Sequence, residues 1–202
     1  MNENGPIILK SLHGRDIEDH LDDIARLRIQ VFREWPYLYD GDAAYEAGYL
    51  RTYTQASRSI AVLALEGDRV VGASTGLPME DETEAFRLPL QAAGIDPATL
   101  FYCGESVLLP GYRGRGIGHA FFDARETHAR RLGGFEWCAF AAVDRDRDDP
   151  RRPDGHRDND VFWHKRGYRR SDITLQLPWK ETGRGETAHA LTFWLHPLEA
   201  IK

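Results

Sequence analysis

Apolar residues recur at three- and four-residue intervals through Ile17, Leu21, Ile24, Leu27 and Val31, the spacing of one helix face, with Asp16 placed to cap that helix. A first strand is expected over residues 6–10, before it. Trp35-Pro36-Tyr37-Leu38-Tyr39-Asp40-Gly41 breaks the helical pattern, and a weaker helix is expected over 42–53. Residues 60–65 and 70–75 are β-rich runs on either side of Glu66-Gly67-Asp68, a hairpin signal. A short helix is predicted over 81–93, closed by Gly94, and a strand over 100–109. Ile117, Ala120, Phe121, Ala124, His128 and Leu132 share a face of a helix over 116–132 that stops at Gly133. Residues 135–143 form a continuous apolar run, as expected of a strand in the middle of a sheet. One or two helical turns over 161–166 precede strands over 173–179 and 188–195, joined by a Gly-rich turn. This order fits one mixed α/β sheet with a central crossover unit over 100–143.

Composition narrows the reading. A chain of 202 residues reads as one domain, and a chain of that size buries roughly 70% of its unfolded surface without needing staples. Acidic residues exceed basic ones, 32 to 26, which argues against a protein that mainly holds nucleic acid. Uncharged stretches reach only about a dozen residues, as over 187–198, well short of the ~20 of a membrane span. Met1-Asn2-Glu3-Asn4 has no basic region followed by an apolar run, so no secretion signal is expected. Cys103 and Cys138 make no disulfide framework and fit the reducing cytoplasm; small buried hydrophobes is the default reading of both. Residues 144–160 hold seven Asp and five Arg, with Pro150, Pro153 and Gly155, and read as a solvated loop.

The most specific chemistry lies at Pro110-Gly111-Tyr112-Arg113-Gly114-Arg115-Gly116-Ile117-Gly118. A strand ends, the chain turns, and alternating glycines lead into an amphipathic helix. A helix start offers free N–H groups and the positive end of the macrodipole. Glycines let a diphosphate approach that backbone, and Arg113 and Arg115 add charge. The Walker pattern is absent, since no Gly-Lys-Ser/Thr occurs, and Gly114-x-Gly116-x-Gly118 misses dinucleotide spacing by one residue.

Arg113, Gly116 and Gly118 instead satisfy R-x-x-G-x-G, and with the flanking strand and helix the chain resembles the GNAT superfamily of acyl-CoA-dependent N-acyltransferases. Phe162-Trp163-His164-Lys165-Arg166-Gly167-Tyr168 resembles the family's second landmark, a short helix ending in Gly-aromatic. The resemblance spans residues 6–198. It implies a central, mostly antiparallel sheet with a parallel β-α-β core and flanking helices. It also implies acetyl-CoA as co-substrate, an amine acceptor (a small molecule or a peptide), and a frequent homodimer, for which 191–198 is a candidate seam or simply a last strand.

By the same resemblance, acetyl-CoA wedges between the strands over 100–109 and 135–143. Backbone amides of Val107, Leu108 and Leu109 would hold the thioester region, and Arg113, Gly114, Arg115, Gly116, Ile117 and Gly118 the diphosphate. Asn159 or His156 stands near the family's usual Asn. Phe162, Trp163 and Lys165 would line the cofactor's far side, Lys165 being equally readable as a solvated residue. The family's frequent acidic tyrosine falls on Trp163, whose indole has no usable acidic proton.

An alkyl amine arrives protonated, with a pKa near ~10.4, so a base is required. Glu105, a charge in the middle of an apolar strand, is the candidate; a structural pairing with an arginine is the competing reading. Tyr168 and Tyr102 are candidate acids, or else core aromatics. Trp35, Tyr37 and Tyr39, with Asp40 and Asp42 and with Phe193 and Trp194 opposite, are candidates for binding the acceptor, or else form a hydrophobic plug. Asp144-x-Asp146-x-Asp148 resembles the start of an EF-hand loop but has Asp149 and Gly155 where Gly and Glu are needed, and no metal is assigned. Two further readings remain: a non-catalytic acyl-CoA-binding protein of the same fold, prompted by Trp163, and another phosphate-ligand binder.

Overall fold

The computed structural model describes residues 5–199; the four N-terminal residues read above for a secretion signal lie outside it. Seven strands form one sheet in the order β1-β2-β3-β4-β5-β7-β6. They are β1 (Ile7–His13), β2 (Ile60–Glu66), β3 (Arg69–Pro78), β4 (Leu100–Leu108), β5 (Trp137–Val143), β6 (Arg169–Glu181) and β7 (Gly185–Pro197). Every neighbouring pair is antiparallel except β4–β5, which α4 (Ile117–Leu132) connects. This is the mixed α/β sheet with a parallel β-α-β core that the element order predicts.

The helices cover both faces. Gly72 of β3 points at Phe121 of α4, whereas Thr75, an odd number of residues further along the strand, stands beside Tyr53 of α2 (Ala43–Gln55). Strand alternation therefore sets α4 and α2 on opposite sides. α1 (Leu21–Phe32) packs beside α2, and α3 (Glu84–Ala92) beside β6. Among the described residues, no helix is long and apolar enough to cross a membrane.

Several boundaries differ from expectation for local reasons. Asp16 does not cap α1. It sits within a 3-10 segment, Gly14–His20, tied down where the Gly14 amide donates to Ser59 Oγ over 3.2 Å. Asp42, expected at the acceptor site, is a helix cap: its carboxylate accepts from the Tyr45 amide over 2.9 Å at the start of α2. Asp40 is taken by Arg33 and Lys180. β6 and β7 run several residues past the apolar runs because exposed positions alternate with half-buried ones in β6, so polar residues continue the ladder.

The Asp/Arg-rich loop over 144–160 is mostly exposed, as expected, and is also pinned at two of its arginines. Glu181, buried at the end of β6, accepts from Arg145 Nη1 over 2.9 Å and from Arg151 Nη1 over 2.6 Å. Arg145 also donates to the carbonyls of Pro36 (2.6 Å) and Tyr37 (2.8 Å). One buried carboxylate thus ties the loop to the segment between α1 and α2.

Candidate functional site

β4 and β5 are paired only at Leu100–Trp137, Phe101–Cys138 and Tyr102–Ala139. Beyond those pairs β4 stays on β3 and β5 stays on β7, so a wedge opens between them. The Leu109 amide donates to Val71 of β3 over 3.0 Å, so Leu109 offers nothing to the wedge. By the two-residue alternation of a strand, Val107 also faces β3, and the amides of Ser106 and Leu108 face the opening. Of the expected trio Val107, Leu108 and Leu109, only Leu108 presents a free amide there.

A bulge in β4 changes which side chains line this opening. Ser74 pairs with Ser106 and Gly76 with Cys103, so Gly104 and Glu105 together oppose the single residue Thr75. The extra residue shifts the phase of alternation, so that Tyr102, Gly104 and Glu105 all line one cavity. Glycine is required at 104: a Cβ there would collide with the Tyr53 hydroxyl and lie 2.7 Å from Thr75 Oγ1.

At the mouth of the wedge, Leu109 and Pro110–Tyr112 turn the chain toward α4. Gly114 and Gly116 hold φ of +77° and +80°, and a Cβ on either would meet nothing within 4 Å. Gly116 precedes α4 with no side-chain cap, so the first amides of the helix point outward uncovered. Arg113 and Arg115 lie on this surface, bonded to the carbonyls of Leu108 (3.2 Å) and Gly111 (2.8 Å). Ile117 is buried, and its side chain anchors the helix rather than the ligand. Phe162 closes against Gly118 and His119, 4.8 Å between ring centroids with the latter. These residues fit an anionic diphosphate: open backbone donors, a dipole and two cations.

On the α1/α2 side lies a cavity of about 360 Å³, lined by residues that include Arg28, Tyr37, Tyr39, Tyr49, Glu82 and Glu105. Glu105 Oε2 accepts from Arg28 Nη1 over 2.7 Å and from the Tyr49 hydroxyl over 3.3 Å, while Oε1 is buried without a partner. The competing reading of Glu105 as the partner of an arginine is thus fulfilled on one oxygen, and the other stays free. Arg28 Nε is bound to Glu46, which is fully buried behind it. Burial pushes Tyr37 up to about 12 and Tyr49, Tyr53 and Tyr102 well above the usual phenol range, so these hydroxyls are neutral donors.

Arg28, Tyr49 and Glu82 are lining residues that the sequence alone did not single out; Glu82 lies in the turn between β3 and α3. Its Oε2 accepts from the Thr83 amide over 2.9 Å, and its Oε1 is buried and unpartnered. Burial pushes its carboxyl up to about 7; the Thr83 amide acts against this and the like charge of Glu105 adds to it. Its only sequence signal is an acidic run, Glu80-Asp81-Glu82, which reads as surface.

The other expected residues separate into groups. Tyr37 and Tyr39 join Glu105 in the cavity, but Trp35 does not. It lines a second cavity of about 380 Å³ with Asn159, Trp163 and Trp194, across the end of β5. Phe193 is core. Trp163 packs on Phe140 and Trp194, and Lys165 is exposed in the last turn of α5 (Asp160–Lys165). Tyr168 is not brought to Glu105. It is fully buried against Phe122, Phe140 and His196, its hydroxyl is donated to Glu126 over 3.2 Å, and burial raises its pKa, which places it among the core aromatics. Cys103 and Cys138 are buried and unbridged.

Comparison with known proteins gives a consistent picture. The sequence model of the acetyltransferase (GNAT) family matches residues 23–152, well over half of the chain. No curated protein matches it. Among solved structures, the chain is similar to Arabidopsis thaliana NAA60 in complex with a bisubstrate analogue, with a TM-score of 0.61 at 10% identity over 96% of this chain and 100% of that one. It is similar to yncA of Salmonella typhimurium with its cofactor acetyl-CoA, with a TM-score of 0.54 at 13% identity over 96% and 94%. It is also similar to GphF, a GNAT-like decarboxylase in complex with isobutyryl-CoA, with a TM-score of 0.61 at 21% identity over 94% and 100%. At these identities the likeness is one of fold.

Proposed function

The chain belongs to the GNAT acetyltransferase family, and from that premise we propose that it moves an acetyl group from acetyl-CoA to a primary amine, of a small molecule or a peptide, by direct attack on the thioester. The observation that carries this reading is the wedge between β4 and β5, opening onto uncovered amides at the start of α4. Acetyl-CoA supplies an acetyl group already activated as a thioester.

The protein's own residues do the rest. Arg113–Gly118 grip the diphosphate through main-chain donors and charge. The Ser106 and Leu108 amides, directed into the wedge, are placed to stabilise charge developing on the thioester oxygen. Glu105 Oε1, free and buried in the cavity wall, takes the proton from the attacking amine, while Arg28 and Tyr49 fix the carboxylate through Oε2. Asn159, Phe162, Trp163 and Lys165 line the far side. Trp163 cannot protonate the leaving thiolate, so that proton comes from solvent or from the acceptor's own ammonium.

Isothermal titration with CoA, followed by a thiol-release screen of acetyl-CoA with amines, tests the proposal. Binding together with amine-dependent thiol release is expected. Absence of CoA binding at millimolar concentration overturns it. Binding without release for any amine favours a non-catalytic acyl-CoA-binding protein, the reading that Trp163 in the family's tyrosine position supports.

A further inference from the structure

The acceptor cavity carries more negative charge than its one cation can balance. Its lining includes Arg28 against Glu82, Glu105 and Glu186. Arg28 is already committed, with Nε on Glu46 and Nη1 on Glu105. Glu82 has no cation within ion-pair distance among the described residues, yet it is only 4% exposed. One of its carboxylate oxygens holds the Thr83 amide, and the other is buried and bare, as is Glu105 Oε1. Buried carboxylate oxygens without donors are costly and rare, and two in one small cavity mark a place where a ligand brings the donors. Around them stand Phe86, Tyr49, Tyr102 and Trp179, rings that suit an organic cation and its apolar body. A volume of about 360 Å³ lies at the small end of ligand sites.

We propose that Glu82 anchors the incoming ammonium, and that the acceptor is a compact alkyl or arylalkyl amine with no carboxylate beside its nitrogen. An α-amino acid would set its own carboxylate against Glu82 and Glu105, with the only arginine of the cavity already paired. This rests on the acetyl-transfer reading of the same site.

Titrate the CoA-saturated protein calorimetrically with a matched series: 2-phenylethylamine, phenylalanine amide and phenylalanine, together with butylamine and tryptamine. At least one amine is expected to bind, and 2-phenylethylamine and the amide at least about tenfold more tightly than phenylalanine. Glu82→Gln, close to isosteric, should weaken amine binding about tenfold or more while CoA affinity, which also reports an intact fold, stays within about twofold. The inference is overturned if phenylalanine binds as well as its amide, if no amine binds, or if Glu82→Gln leaves amine affinity unchanged. Loss of CoA binding by the unaltered protein would instead sink the acetyl-transfer reading, so the two failures are distinguishable.

Discussion

Arg125 of α4 donates through Nη1 to the carbonyl of Glu105 over 3.1 Å, from the face of the sheet opposite the Glu105 carboxylate. The same nitrogen donates to the Thr75 carbonyl over 3.2 Å, and Nε to Phe121 over 3.3 Å. The Thr75 and Glu105 carbonyls belong to the two strands at the β4 bulge, and that of Glu105 also accepts from Ser74 Oγ over 3.0 Å. Arg125 is almost wholly buried, has no carboxylate within ion-pair distance among the described residues, and stacks over Phe122. It therefore acts as a bracket for the bulge that aims Glu105.

Arg125→Met removes the donors but keeps the volume. The Thr75 carbonyl loses this donor, while that of Glu105 keeps Ser74 Oγ; a buried carbonyl left dry costs about 1–3 kcal/mol, partly offset by no longer burying a charge. A loss of about 2 kcal/mol in urea unfolding is expected. A larger fractional fall in kcat than in CoA affinity should accompany it, because the bulge positions Glu105 and not the diphosphate turn. Unchanged stability and rate would show the bulge to be self-supporting.

Arg28→Met would strip the cation from two buried carboxylates, Glu46 and Glu105. Removing one partner of a buried pair costs about 3–5 kcal/mol. The stranded carboxylates can escape by protonation, so the deficit should be larger near pH 8 than near pH 5. Adding Glu46→Gln to this variant should restore part of the loss. Urea midpoints at the two pH values check both statements.

Much of this was legible locally, and the rest depended on distant contacts. The Arg113–Gly118 junction is written in consecutive residues, because a left-handed turn and a helix start are local events. Glu105 stood out as a lone charge in an apolar strand. The bulge that aims it leaves no local mark, since it is defined by which residue of β3 lies opposite. Glu82 reads as surface within Glu80-Asp81-Glu82, yet it is buried in the wall of a cavity lined by residues distant in sequence. The loop over 144–160 is as exposed as it reads, but its pinning leaves no local mark, because its hub, Glu181, lies on β6, some 36 residues from Arg145. Trp35 and Tyr37 are two residues apart, yet their rings line different cavities, with Arg145 bonded to the carbonyls of Pro36 and Tyr37.

Glu82 gives the protein a pH-dependent stability of known sign. Its carboxyl is raised from an ordinary 4.5 to about 7. A raised folded-state value means that the native state binds the proton more tightly than the unfolded chain. Its contribution is therefore fully present below about pH 4.5 and is lost as pH rises through about 7. The full swing is on the order of 3 kcal/mol. Glu82→Gln lacks the titration, so the variant should gain on the unaltered protein between pH 5 and pH 8 in paired urea titrations. Parallel pH profiles for the two proteins would mean that Glu82 is not perturbed.

Arg145→Met should loosen the acceptor wall without touching the diphosphate turn. Arg145 is the link that carries the anchoring of Glu181 to the Pro36 and Tyr37 carbonyls. Without it Tyr37, whose ring packs on Phe32 and Trp179, keeps only the Trp179 indole N–H, 3.2 Å from its carbonyl, as a side-chain donor to its backbone. The expected result is an acceptor KM raised about tenfold, roughly 1.4 kcal/mol, with the CoA dissociation constant unchanged. Equal losses in both would point to a general collapse of the loop instead.

Gly116→Glu tests the junction itself. Gly116 sits at φ +80° with open space where a Cβ would stand, immediately before the free amides of α4. A glutamate there projects a negative side chain into the path of a diphosphate. It also carries a backbone penalty of about 1–2 kcal/mol for the left-handed conformation. Gly116→Asn serves as the control, since asparagine tolerates that conformation and adds no charge. The glutamate variant should weaken CoA binding at least about a hundredfold, near 2.7 kcal/mol, and the asparagine variant by less than about tenfold. Far-UV circular dichroism of both variants should match the unaltered protein. Should the glutamate variant bind CoA normally, the diphosphate does not sit on this turn, and the wedge between β4 and β5 is not the cofactor's path.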